Sequence, residues 1–170
     1  MKNSDKSFAR YLLVQSLYQM ITSKSKIAEV VIQLENNNFE TIPLDFNDSN
    51  ILKNKIDLKY FKNIVLIFSK NEKLIFELIK TNLSKNWNYE RLPNVLKAIL
   101  ISSVSEILAN PEISIGIVTS EYIKLTESFF LGKESSFVNA FISKVYSLGI
   151  GHTDVKWKRN YFKVLKTTCN

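Results

Sequence analysis

The stretch DLKYFKNIVLIFSKNEKLIFELI, residues 57–79, decides the fold class. Its apolar residues Tyr60, Phe61, Ile64, Val65 and Phe68, then Leu74, Ile75, Leu78 and Ile79, recur at three- and four-residue steps. That spacing lines side chains along one face of a helix and not along a strand. It predicts one long helix, or two joined near residues 69–71. The apolar run NIVLIF (63–68) inside it is too short to span a bilayer.

The same period extends outward in both directions. Upstream, Ser4 and Asp5 offer caps for a helix reaching about residue 22, with Phe8, Tyr11, Leu12, Leu17, Tyr18 and Ile21 on its apolar stripe. A shorter helix fits residues 26–34. The Asn- and Asp-rich segment 35–50 then reads as a surface loop and a boundary. Downstream, Pro93 suits the first turn of a helix that ends before Asn110-Pro111. Another helix is expected over 115–129. The last begins at SSFVNAFISKV (135–145) and closes at Gly149 and Gly151. Only four glycines and three prolines occur in 170 residues, too few turn residues for a barrel or sandwich. The expectation is all-α: about seven helices in two packed small helical bundles within one domain over 1–150. The amino-terminal bundle takes about 4–55 and the carboxy-terminal one about 57–150, followed by a basic extension at 151–170.

Composition narrows the function. The chain is 45% apolar and 23% charged, ordinary for a soluble protein, with a formal charge of +7. That excess favours an acidic partner such as nucleic acid, although lysine-rich composition alone is a weak sign. One histidine, His152, and one cysteine, Cys169, supply no metal cluster and no Cys–His pair. No glycine-rich phosphate loop follows a strand, and no paired acid and base stands out. No catalysis and no cofactor are expected. MKNSDKSFARYLL lacks the apolar core of a signal peptide, and a reducing cytoplasm suits a chain without disulfides.

Five segments, in order, resemble the NusB family of transcription antitermination factors: ARYLLVQSLYQM (9–20), DLKYFKNIV (57–65), KAILISSVSEIL (97–108), IVTSEYIKLTESF (117–129) and SSFVNAFISKV. The resemblance covers about residues 5–148. It implies two small helical bundles and no enzymatic step. It also implies binding of boxA-type single-stranded RNA together with the small-subunit ribosomal protein that acts as NusE, within an RNA polymerase assembly reading through ribosomal RNA operons. Relatives occur as monomers and as homodimers, so a homodimer stays open. The chain departs from the family pattern in a sparse basic amino terminus, in Ile101 where an arginine is usual, in TSEY (119–122), in Ala140 and in Lys133. Two rivals remain. One is the RNA-binding domain of ribosomal RNA cytosine methyltransferases, disfavoured because the chain stops at Asn170. The other is a diverged helical scaffold that holds only a protein.

On this resemblance the RNA candidates are Lys2, Lys6 and Arg10 near the amino end of the first helix, and Lys133, Ser135, Ser136, Phe137 and Asn139 at the start of the last. Lys6 and Arg10 stand four apart and so share a face, where flexible cations can follow phosphates. Unsatisfied N–H groups at the last helix's start, with Lys133, can accept a phosphate. Each has a plainer reading. The cations can form a solvated face, a serine can simply cap, and Phe137 can be core with an edge for stacking. Asn139 either reads a base or braces the loop, and bracing is favoured. Tyr18 is the candidate for the ribosomal partner, and core packing competes for it and for Trp87. Glu121 is expected to join helices. The tail residues Lys156, Lys158, Arg159, Lys163 and Lys166 either add nonspecific RNA affinity or form a last amphipathic helix.

Overall fold

The computed structural model describes residues 3–36 and 56–149. The expectations for Lys2, for the loop between 37 and 55, for His152 and Cys169, and for the 151–170 extension lie outside the described residues. Among the described residues six α-helices follow one another: α1 (Asn3–Ser23), α2 (Ile27–Asn36), α3 (Leu58–Asn82), α4 (Asn94–Ala109), α5 (Ile115–Glu127) and α6 (Glu134–Ser147). A 3₁₀ turn, Tyr89–Arg91, precedes α4. The fold is all-α, as the periodicity predicts. Within the described residues α3 is one element with a bend, the first of the two forms that the apolar spacing allows. Asn71 leaves helical geometry there (φ −126°, ψ 21°), and its side-chain amide donates to the Ile67 carbonyl at 2.8 Å.

Local chemistry sets the ends. Asp57 caps α3 by accepting from the Tyr60 N–H at 2.9 Å, and its own N–H donates to the Asp5 carbonyl at 3.1 Å. That bond ties the start of α3 to the start of α1. Since α1 begins at Asn3, Asp5 lies inside its first turn, where its charge complements the helix N-terminus. Pro93 sits just before α4, and its carbonyl accepts from Lys97. Gly149 takes a left-handed φ of 67° after α6, which costs glycine no steric strain.

α4 is the axis of the fold. Every residue from 98 to 107 is buried, so this helix has no solvent face over that span. Two of its buried serines resolve their hydroxyls locally, Ser103 donating to the Leu100 carbonyl and Ser105 to that of Ile101, while the Ser102 hydroxyl has no partner among the described residues. α1, α3, α5 and α6 pack around it, α5 and α6 lie against each other, and α2 covers α1. One apolar core joins both halves, from Leu12 and Leu17 through Phe61 and Ile64 to Phe141 and Ile142. Ile101 is fully buried in it. Among the described residues no helix is long and apolar enough to cross a membrane.

Candidate nucleic-acid interface

Glu106 stands alone as a carboxylate on the buried span of α4, with no exposed surface. A charge in that position needs a cation. Arg10 of α1 supplies it. The Arg10 Nε donates to both Glu106 oxygens at 3.0 and 2.9 Å, and Nη2 reaches Oε1 at 2.6 Å. Nη1 meets Glu121 Oε2 of α5 at 3.2 Å, and Nη2 lies 3.4 Å from the Tyr60 hydroxyl of α3. Tyr60 in turn donates to Glu106, and Ser7 donates to Glu121. The network joins four helices.

Electrostatics follow from that enclosure. Burial works against the charge on Arg10, but the hydrogen bonds and negative charge of Glu106 outweigh it and hold the guanidinium firmly protonated. Burial, with Glu106 beside them, pushes the Tyr60 and Tyr122 hydroxyls up. Burial alone would raise Glu121. The hydrogen bond from Ser7 and the charges of Arg10 and Lys124 instead hold it below its ordinary value.

This corrects the expectation for Arg10. At 3% exposure, with its donors turned onto protein oxygens, it is not a free cation for phosphate. The predicted shared face is real, since Lys6 Nζ and the Arg10 guanidinium lie 4.8 and 5.6 Å from the same Tyr60 ring. What covers that face is another helix. Lys6 is half-buried at the mouth of a cleft of about 270 Å³ lined also by Ile117, Ser120, Glu121 and Lys124. Glu121 joins helices, as expected.

A second cluster forms at the start of α6. Trp87 stacks on Phe137, with centroids 4.1 Å apart and planes 22° from parallel, and Lys133 Nζ lies 5.5 Å from the Trp87 ring centroid. Phe137 is thus a core residue whose outer face is taken by Trp87. Lys133 precedes Glu134, the first helical residue, and gives no side-chain cap. Ser135 and Ser136 lie inside the first turn, so neither is the cap. Asn139 is exposed, and among the described residues its side chain makes no hydrogen bond, which corrects the bracing role. Leu131 is fully exposed in the preceding loop.

Tyr18 is 41% exposed on the wall of a groove of about 290 Å³ with Tyr11, Val14, Gln15, Val95 and Phe129. Phe129 belongs to the same α5–α6 loop as Lys133. The structure therefore gathers Lys133, Ser135, Ser136, Phe137 and Asn139 at one end of α6 and brings Tyr18 to the neighbouring loop. Lys6 sits apart, beside the middle of α5. Sequence reasoning missed Glu106 and the Trp87–Phe137 pair. A signal existed for the first, a lone carboxylate within KAILISSVSEIL, but none marks its partner.

The fold and these clusters define a small all-helical protein with an aromatic stack and a lysine at the start of α6. A model of the NusB family matches residues 7–147, and the chain belongs to that family. A transcription antitermination protein NusB of Mesorhizobium japonicum is 28% identical over 137 residues, spanning 81% of this chain and 85% of its own. One from Bartonella quintana is 29% identical over 137 residues, with the same shares. The solved structure of T. maritima NusB superposes with a TM-score of 0.64 over 94% of this chain and 99% of its own. At 18% identity it speaks to the fold.

Proposed function

We propose that this chain is a cytoplasmic transcription antitermination factor that binds boxA-type single-stranded RNA jointly with the small ribosomal protein that acts as NusE. Family membership and the names of the relatives support the antitermination role. The observation that carries the RNA part is the Trp87–Phe137 stack beside Lys133, with Ser136 and Asn139 exposed around it. Unstacked bases bind on aromatic faces and edges, and cations beside them hold the phosphates. Lys133 and the free N–H groups of the first turn of α6, with Ser135 and Ser136, take phosphate oxygens. Asn139, with an amide free of described partners, offers a donor and an acceptor to a base edge. Phe137 backs Trp87. Lys6 adds a phosphate contact from α1, Lys2 in the preceding sequence is proposed to add another, and Arg10 positions α1 from inside. The Tyr18 groove faces the ribosomal protein, and RNA polymerase is the wider assembly. No step in this function makes or breaks a covalent bond.

The test is fluorescence anisotropy with a boxA-type strand and a scrambled one, with and without the ribosomal partner. Losing one base–aromatic stack costs about 1–3 kcal/mol. Trp87→Leu and Lys133→Ala should each weaken boxA binding at least several-fold and spare the circular dichroism spectrum. Equal affinity for both strands with the partner present, unchanged in both variants, would refute the RNA reading and leave a helical scaffold.

A further inference from the structure

The outward face of α3 carries Lys59, Lys62, Lys70, Lys73 and Lys80, all exposed. Before the bend at Asn71, Lys59, Lys62 and Lys70 stand near one side of the helix, and after it Lys73 and Lys80 share a side; at 1.5 Å per residue the row is at most about 30 Å long. Against five lysines α3 has two glutamates, Glu72 and Glu77. Lys62 pairs with Glu35 at 2.7 Å and Lys80 with Glu90 at 3.1 Å. Lys59, Lys70 and Lys73 have no ion-pair partner among the described residues. Like charges one turn apart repel mildly, and an anion laid along them relieves that repulsion.

The row leads somewhere. Lys80 Nζ lies 5.2 Å from the Tyr89 ring, which also has Lys97 Nζ at 5.4 Å. Two residues before Tyr89, in the same connection, is Trp87 on Phe137. Lys144 of α6 donates to the carbonyl of Asn82, the last residue of α3, at 3.2 Å. The carboxy-terminal end of the row therefore lies against the last turn of α6, and the short connection that follows leads from there to Trp87 on Phe137 at the start of that helix. An acidic protein could match the charge alone. The continuity with an aromatic stack favours a polyanion that also carries bases.

We propose that the α3 lysine row is a phosphate rail for RNA flanking the segment held at α6, an inference that rests on the RNA reading above. Single-stranded phosphates spaced a few ångströms apart can follow cations at one-turn intervals without any base being read. The rail adds affinity without sequence preference.

The experiment compares a short boxA-type strand with the same strand extended by unstructured sequence at its 5′ or 3′ end. A scrambled core carries the same extensions. The variant is Lys59→Gln/Lys70→Gln/Lys73→Gln, three exposed side chains whose removal breaks no described ion pair. At about 0.7 per phosphate contact, its log–log salt slope on extended RNA should be shallower by about 2. The extension's gain in wild type should accordingly shrink about 20-fold between 50 and 200 mM salt. A gain from one extension, on both cores, that the variant loses while keeping core affinity supports the rail whether or not boxA is preferred. A boxA preference with no gain from either extension overturns the rail and leaves the RNA reading standing. A gain that the variant retains overturns it too. So does a variant that loses ribosomal-partner binding instead, since that assigns the row to a protein.

Discussion

Replacing Arg10 by alanine takes away the cation that Glu106 faces from inside the core. Glu106 has no exposed surface and receives three Arg10 contacts between 2.6 and 3.0 Å. Stranding a buried charge in this way costs about 3–5 kcal/mol, a large part of the stability of a domain this size. Two smaller losses add to it: Glu121 loses a 3.2 Å ion pair, and Tyr60 loses one of its partners. Urea denaturation followed by circular dichroism should place Arg10→Ala well below wild type. Arg10→Met/Glu106→Leu should recover most of the loss, because an apolar pair of similar volume leaves no charge to satisfy. Arg10→Lys keeps the charge but loses the fork, and should fall between. A loss under about 1 kcal/mol for Arg10→Ala, or a double variant as unstable as the sum of the singles, would refute the buried-pair argument. The same variants separate structure from RNA contact. A phosphate ligand contributes about 0.7 to the salt slope for a single strand, so the folded Arg10→Met/Glu106→Leu protein, which lacks the cation, should bind RNA with an unchanged slope.

Three further outcomes follow from the geometry. Glu121 is held below its ordinary value, so its stabilising share is present above that value and is lost as pH falls through the folded pKa. The stability gap between wild type and Glu121→Gln should therefore be widest near neutrality and shrink on acidification below the ordinary glutamate range, and a gap that instead widens there would contradict it. Ile101→Ala hollows the fully buried axis helix and should cost about 2–5 kcal/mol, read from the urea midpoint at unchanged m-value. Gly149→Ala places a Cβ at φ 67° and should cost about 1 kcal/mol in thermal melts, whereas an unchanged melting temperature would mean the turn relaxes.

Helices and their faces were legible in the sequence because a helix is written locally: Tyr60, Phe61, Ile64 and Phe68 are all buried, as their spacing predicts. The bend at Asn71 fell where the apolar rhythm of 57–79 pauses. What the sequence hid is what lies opposite each face. Arg10 and Glu106 are 96 positions apart, and helical spacing cannot say that a basic face looks into α4 rather than into water. Trp87 and Phe137 also meet from distant segments, so neither one alone reads as half of a stack. Tyr18, by contrast, stands on the edge of the α1 stripe and is partly exposed, where periodicity allows either outcome.

The Arg10 network also bears on the order of assembly at the ribosome. α1 is made well before α4 and α5, so its guanidinium finds Glu106 and Glu121 only after about a hundred further residues have been synthesised. Until then α1 has an unpaired cation and the apolar flank of Leu12 and Leu17 waiting for α4. Contacts of such long sequence separation slow folding and prolong the exposure of that flank. The nascent amino-terminal helix is thus the segment with most to gain from a chaperone, and a ribosome stalled before residue 106 should display it to one.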